Sequence, residues 1–525
     1  MPEPKHAIII PTSAWGHVVP MAHFCQQLLL HHRNLHLTVL LAPSVAVRFE
    51  QQVLALDLKT AHPEPERLQR FTVVATDEQP KFRDGVPVAT KGPGTLKENI
   101  PIYLEKLLVS ADMGAAGENK FAGIRPRLII YDLFLTFVPN TFTTILEHHK
   151  LPPIPLFAFF PCPAAATLSI FGSFETRGSR AIFRQQYEKE MAGGIESDVA
   201  LVKAFGSGTG EVIRMPDMPD MYDYEYEPMY AAFPWPLYVL YNQYDAFDSI
   251  RSPSVTGLIS TGVGEIEPNA VKAVEKDFGK RCLMVGPQYP EAVWRGETGT
   301  RPTDGDAKRV MAFLDAHPPH SVAYLSFGSM FWPYERPEIV DYLVESLISN
   351  RVPFIYTQPS ELACPSPALL EMFHREPETC FVIFAPQWHV LSHPSLGFFV
   401  SHCGNNSVYE AMLQGVPIVA IPFGADQPVL ASQLIRAGAA IELEQIKSFK
   451  DPSSTRLYSG VDIIGTEEAI KAELAGVWAK MLGEEGDSMR RGMKRSKDVC
   501  EKSRREGSSW LAMEAVGEMI SVCSV

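Results

Sequence analysis

Two successive series of short apolar runs constrain this chain more than any other feature. The first reads HAIII (6–10), LHLTVLLA (35–42), FTVVA (71–75), RLIIYD (127–132) and PLFAFF (155–160). The second reads SVAYLSF (321–327), VPFIYT (352–357), CFVIFA (380–385), GFFVSH (397–402), VPIVAIP (416–422) and AAIELE (439–444). Runs that are apolar on both faces, separated by longer segments, are the mark of parallel strands covered by helices on either side. Helical patterns fill the gaps, from about Pro20 to His31 and over SVYEAMLQ, which Gly415 closes. The expected fold class is α/β, with two doubly wound, Rossmann-like domains. The stretch 286–306, rich in Pro, Gly and charge, reads as a linker between a domain at 1–285 and another at 307–500. A ligand is expected in the cleft that two such domains face, at the carboxyl ends of the strands.

Composition narrows the partners. With 525 residues and 46% hydrophobic content, the chain can bury more than one core. A net charge of -14 disfavours nucleic acid and anionic lipid as main partners. A small anion remains compatible, because helix N-terminal amides hold anions without net positive charge. The eight cysteines include no C-x-x-C pair, which fits reduced thiols and a cytoplasmic protein. The apolar run at the start is too short for a signal peptide. Residues 154–172 carry no charge, but Pro155, Pro161 and Pro163 would break a spanning helix, so no integral membrane segment is expected. The basic segment 490–506 reads as a solvated helix face, with weak membrane attraction as the alternative. SSWLAMEAVGEMI reads as a docking helix, with Trp510, Met513, Gly517 and Ile520 at helical spacing.

The strand ends carry the chemistry. VSHCGNNSVYE (400–410) runs from a strand into small polar groups. Gly404 permits close backbone approach, and a helix opened by Ser407 would present its first-turn amides to a phosphate. His402, Asn406 and Ser407 are donors to phosphate oxygens, and Glu410 accepts from hydroxyls such as those of a ribose. Ser407-x-x-Glu410 equally fits a capping box that needs no ligand. YLSFGS (324–329) ends in a second small turn with Ser329. FAPQ (384–387) offers an aromatic and an amide to a base through Phe384 and Gln387. PFGADQ (422–427) offers Asp426 and Gln427 to sugar hydroxyls. Together these ends suit base, phosphate, ribose and sugar.

Residues 384–427 resemble, without a gap, the signature box of the family 1 UDP-dependent glycosyltransferases, best known from plant secondary metabolism. SAWGHVVPM, YDLF (131–134) and YLSFGS extend the likeness more weakly over most of the chain. The resemblance implies a GT-B fold of two Rossmann-like domains, with a last helix at 501–525 returning to the N-terminal domain. It implies that Gln387 contacts uridine, with Phe384 stacking on the base. His402, Asn406 and Ser407 would hold the pyrophosphate with help from Ser329. Glu410 would bind ribose, and Asp426 and Gln427 the donor sugar. Two positions depart from the plant pattern. Phe384 replaces the Trp that opens the box, and Asn405 replaces the Trp of His-Cys-Gly-Trp-Asn-Ser. Gln427 leans toward a glucose-type donor.

Transfer of a sugar to an alcohol needs a base for the acceptor proton. His17 follows the first strand run behind Gly16, and an imidazole suits base work at neutral pH. Asp132 ends the fourth run, where a carboxylate would orient that histidine. By motif position both match the family's catalytic pair. The expected reaction is an inverting hexosyl transfer from a UDP-sugar to a small apolar hydroxyl-bearing acceptor, with no cofactor and no metal. Candidate acceptor walls are Phe157, Phe159, Phe160, the run MYDYEYEPMY (221–230) and Trp235. His31, His32 and His36 read as surface groups rather than a metal site. A nicotinamide oxidoreductase is a poor rival, because the turn after the first run, TSAWGH, lacks G-x-G-x-x-G and GSGTG (206–210) follows no strand. A non-catalytic UDP-sugar-binding protein is the other rival, and the pairing of His17 with Asp132 argues against it.

Overall fold

The computed structural model describes residues 5–43, 45–47, 49, 71–75, 82–83, 86–87, 94–109, 124–360 and 363–521. The first series of apolar runs forms a seven-stranded sheet: β1 (Lys5–Ile10), β2 (Leu35–Leu41), β3 (Phe71–Ala75), β4 (Pro126–Asp132), β5 (Leu156–Phe160), β6 (Gly257–Ser260) and β7 (Arg281–Met284). The spatial order is β7-β6-β5-β4-β1-β2-β3. The second series forms β8 (Val322–Ser326), β9 (Phe354–Thr357), β10 (Thr379–Val382), β11 (Leu396–Ser401), β12 (Ile418–Ala420) and β13 (Ala440–Glu442), in the order β10-β9-β8-β11-β12-β13. Neighbours in both sheets pair in parallel. Successive residues are buried on both faces, as with Ala7 through Ile10 and Phe398 through Val400, which is why these strands read as unbroken apolar runs. The short GLIS and RCLM of β6 and β7 escape a sequence reading because so few residues show no period.

Each sheet reverses its strand order once, between β1 and β4 in the first and between β8 and β11 in the second. Loops leaving the carboxyl ends on either side of a reversal diverge and open a crevice. The register fixes which loops those are. Ile10 lies opposite Tyr131, so Asp132 emerges beside the segment leading to His17. Ser326 lies opposite Ser401, and Ser401 opposite Ala420, so the turns after β8, β11 and β12 emerge side by side.

The chain divides into two units. One comprises Met1–Ser173, Leu237–Trp294 and Lys502–Val525, the other Phe174–Pro236 and Arg295–Glu501. The expected boundary at 285 thus misplaces residues 174–236, which pack with the second sheet. Pro228 accepts the Ser448 N–H at 2.8 Å, and Ala231 donates to the Ser448 carbonyl at 2.9 Å. The expected linker also starts too early, because Ala292, Val293 and Trp294 are buried in the first unit.

The uncharged stretch 154–172 resolves into β5, a proline turn and the helix Ala164–Phe171. Among the described residues no helix is long and apolar enough to cross a membrane. The basic segment is not simply a solvated face. Arg490 donates to the Gly397 carbonyl at 2.6 Å, Arg495 to Ala437 at 3.1 Å and Lys497 to Leu413 at 3.0 Å. The last helix, Ser508–Ser521, buries Ala512, Met513, Val516, Gly517 and Ile520 in the first unit. Trp510 lies at its margin against His31, with ring centres 5.8 Å apart, and a Cβ on Gly517 would collide with the His32 ring. The seven described cysteines are free thiols; Cys523 lies outside the described residues.

Candidate active site

In the second unit the reversal point is built around a buried histidine. Gly328 follows β8 in the left-handed region, φ +73°. A Cβ there would lie 2.7 Å from His402 Cε1, and one on Gly404 would collide with Nε2 of the same ring. Two glycines therefore make the space that His402 fills after β11. Burial pulls this imidazole down to about 4, so at pH 7 it is neutral, a hydrogen-bonding group rather than a cation. Phe331 packs beside it at 5.7 Å.

The helix that follows is Asn405–Gln414, with Gly404 as its N-cap. Glycine offers no side-chain oxygen to cap this end. The helix Ala164–Phe171 shows the contrast, because the buried Glu267 carboxylate accepts the Ala164 and Ala165 N–H groups at 2.9 and 2.8 Å. The helix end at Asn405 carries the positive field that an anion seeks. The structure corrects one expectation here. The helix opens at Asn405, two residues before Ser407, so the capping box does not form. Ser407 and Glu410 instead stand three residues apart along one helix face.

That face meets Gln387, the first residue of the helix Gln387–Leu391. Gln387 Nε2 donates to Glu410 Oε2 at 2.9 Å and to Ser407 Oγ at 3.4 Å, while its Oε1 accepts from the Tyr324 hydroxyl at 3.4 Å. Burial pushes the Glu410 carboxyl up to about 7, opposed by the Gln387 hydrogen bond. Phe384 sits on the loop after β10, which ends at Val382 rather than at 385, and its side chain is 67% exposed. Ser329 is exposed and Asn406 half-buried, whereas Asn405 is buried. The loop after β12 is braced by Gln427, whose Oε1 accepts the Phe423 N–H at 2.8 Å. Asp426 is the N-cap residue of the helix Gln427–Arg436, and its charge reaches the Cys403 thiol.

In the first unit, His17 Nδ1 and Asp132 Oδ2 lie 2.8 Å apart. Asp132 is fully buried and His17 retains 17% side-chain exposure. The other carboxylate oxygen, Oδ1, accepts the Phe134 N–H at 3.0 Å, so both oxygens have fixed roles. Phe134 and Phe160 flank the imidazole at 4.7 and 6.0 Å. The helix carrying His17 runs Trp15–His31 and starts five residues before the expected Pro20. Hydrogen bonds from the His17 and Val18 N–H groups to the Ala14 carbonyl begin it, and Pro20 lies inside it, in the second turn, without an N–H to donate.

The model of the family described as UDP-glucoronosyl and UDP-glucosyl transferase matches residues 272–469. UDP-glycosyltransferase 72B1 of Arabidopsis thaliana is 26% identical over 97% of this chain and 95% of its own length. The chain is thus similar to UDP-glycosyltransferases over nearly its whole length. An anthocyanidin 3-O-glucosyltransferase of Fragaria ananassa is 34% identical over 34% of this chain and 38% of its own. The fold is the GT-B fold of the solved relatives. A UDP-glucosyltransferase from Polygonum tinctorium capable of glucosylating indoxyl superposes over 100% of both chains with a TM-score of 0.64 and 21% identity.

The sequence reading missed Tyr324, Phe331 and Glu227 around the site. Tyr324 and Phe331 flank a motif that was noticed, and only their neighbours across the sheet give them a role. The expected acceptor walls need correction. Trp235 packs on Phe233 and Phe331 of the second unit, at 5.6 and 5.7 Å, and donates its indole N–H to Glu227 at 3.0 Å. Of the run 221–230, Tyr226 donates to the Arg177 carbonyl and Asp223 accepts the Thr209 and Gly210 N–H groups. Phe157 and Phe159 are core residues of β5. GSGTG is a loop, and its amides are taken by Asp223 rather than left for a phosphate. Among the described residues no group of three or more His, Cys, Asp or Glu side chains gathers as metal ligands.

Proposed function

We propose that the chain transfers a hexose, glucose by preference, from a UDP-sugar to a hydroxyl of a small, largely apolar acceptor of phenolic type, with inversion at the anomeric carbon. The observation that carries this reading is the 2.8 Å pairing of His17 with the buried Asp132 at a strand-order reversal. The acceptor class is favoured by relatives named for anthocyanidin and for indoxyl glucosylation.

In the proposed step the Asp132 carboxylate holds the proton of His17 on Nδ1, leaving Nε2 as the basic nitrogen. The acceptor oxygen attacks the anomeric carbon as its proton passes to Nε2. The bond from that carbon to the phosphate oxygen breaks, and UDP leaves with the electron pair. The helix end at Asn405, with Asn406, Ser407, Ser329 and neutral His402, stabilises the departing diphosphate. No metal is assigned a part in this scheme. Glu410 and Gln387 receive the ribose and uracil, with Phe384 stacking on the base. Asp426 and Gln427 hold the sugar hydroxyls. Seven free thiols fit a reducing, cytoplasmic setting.

Turnover of His17→Ala with UDP-glucose and a phenolic acceptor tests the scheme. A loss of about 10²–10⁴-fold is expected for a missing general base. Turnover near that of the unmodified protein removes His17 from the mechanism.

A further inference from the structure

Glu227 is a buried carboxylate that the proposed chemistry does not use. It belongs to the 174–236 segment, is 3% exposed, and spends each oxygen on a named partner. Arg180, itself 2% exposed, donates from Nη1 to Oε1 at 3.0 Å. Trp235 donates from Nε1 to Oε2 at 3.0 Å. The third partner is the backbone N–H of Ala425, a residue in the left-handed region at φ +57°. The carboxylate presses so closely on Gly424 that a Cβ there would collide with Oε2. Glu227 is thus bonded to the middle of the loop 422–427, one residue before Asp426.

The surrounding packing points the same way. Arg180 lies in the first turn of the helix Ser179–Ala192, its guanidinium 4.6 Å from the Phe205 ring centre. Phe233 packs on Phe331 and Phe423 at 5.0 and 5.8 Å. The Tyr334 hydroxyl donates to the Pro234 carbonyl at 2.5 Å. The segment 227–235 is therefore a strap fastened across the loops after β8 and β12. Burying an ion pair costs desolvation that a hydrophobic pair would avoid. Here the charge meets a backbone amide of the very loop assigned to the sugar.

We propose that Glu227 is a positioning residue that fixes the 422–427 loop and thereby sets discrimination among donor sugars, with Arg180 and Trp235 holding its carboxylate in place. The proposal rests on the assignment of Asp426 and Gln427 to the donor sugar. It separates two affinities. UDP lacks the sugar, so the Glu227 bond to the 422–427 loop bears less on its binding, which depends on the uracil, ribose and phosphate contacts. UDP-sugar depends on both.

The test compares Glu227→Gln, Trp235→Phe and Asp426→Asn in the full chain. Calorimetric Kd for UDP is measured, with KM and kcat for UDP-glucose and UDP-galactose. Loss of one charge-assisted hydrogen bond leads us to expect about a tenfold rise in KM for UDP-glucose in Glu227→Gln. The glucose-over-galactose ratio of kcat/KM should fall with it, while Kd for UDP stays within about twofold. Trp235→Phe keeps the ring and the ion pair, and a shift of about threefold in the same direction is expected. If Glu227→Gln does not fold, Trp235→Phe decides alone. The proposal is overturned if the folded strap variants keep the unmodified KM and selectivity, or if UDP binding weakens as much as KM rises. Asp426→Asn separates the two ideas. If it collapses selectivity while the strap variants do not, only the strap role falls. If it leaves selectivity intact, the sugar assignment falls and the strap role with it.

Discussion

Replacing Asp132 with Asn probes the proposed dyad at nearly constant shape. Asp132 Oδ1 accepts the Phe134 N–H, and Oδ2 faces His17 Nδ1. In the variant, the amide oxygen stays with the Phe134 N–H, because turning the NH2 group there would set donor against donor. The NH2 group therefore faces Nδ1 and makes that nitrogen the acceptor. The imidazole proton moves to Nε2, and the nitrogen that must receive the acceptor's proton no longer has a lone pair. The imidazolium formed during transfer also loses its counter-charge. With charge centres about 4 Å apart and an effective dielectric constant of about 20, that loss is worth about 4 kcal/mol, or about 10³-fold in rate. The assay is product formation from UDP-glucose with two acceptors at pH 8. One is a phenol of ordinary acidity, and the other a nitrophenol already ionised at that pH. A drop of about 10³-fold is expected for the first and less than about tenfold for the second, which needs no base. The melting temperature confirms that the variant folds. Turnover of the ordinary phenol within threefold of the unmodified protein refutes the reasoning. Equal losses with both acceptors refute it too, since they point to misplaced substrate rather than a missing base.

Two further perturbations address the second unit. Gly328→Ala places a Cβ 2.7 Å from His402 Cε1 at a φ of +73°; about 1–3 kcal/mol of lost stability in urea titration and at least a tenfold weaker calorimetric Kd for UDP are expected, and unchanged values would show that the ring does not need this space. Glu410 has its folded pKa raised from its ordinary 4.5 to about 7, so the native state holds the proton more tightly than the unfolded chain. Its stabilising contribution is complete below 4.5 and is lost as pH rises through 7. His402, pulled down to about 4, acts with the opposite sign, but only between about 4 and 6.5. Between pH 6.5 and 8 the Glu444 carboxyl, also pushed up to about 7 by burial, adds to the same fall, so the Glu410 share in urea titrations is the difference from Glu410→Gln. Stability should fall with pH in the unmodified protein by more than in Glu410→Gln, and parallel curves would contradict the burial argument.

Much of the fold was legible because its signals are local. A strand buried on both faces writes itself as an apolar run, and β1, β3, β4 and β11 fall within a residue of the runs that announce them. Boundaries were less secure where a local rule has a rival. Pro20 looked like a helix start, yet the helix begins at Trp15 and carries Pro20 inside it. Ser407 looked like an N-cap, yet Gly404 takes that place and Ser407 moves into the first turn. Phe384 was assigned to a strand end and lies on a loop beyond it.

The sequence alone determined that small polar residues would end buried parallel strands, and so which residues would gather at the two reversal points. That follows from the period of the runs and the chirality of parallel connections. Only the tertiary structure decided which atoms meet there. His17 and Asp132 are 115 residues apart, and nothing local to either reveals a 2.8 Å contact. The same is true of the 174–236 segment, whose composition suits a packed loop in either unit. It packs with the second sheet because Arg180, Glu227 and Trp235 find partners there that no neighbour in sequence supplies. Such partners are set by the closing of the whole core, where desolvation and hydrogen bonding are satisfied together or not at all.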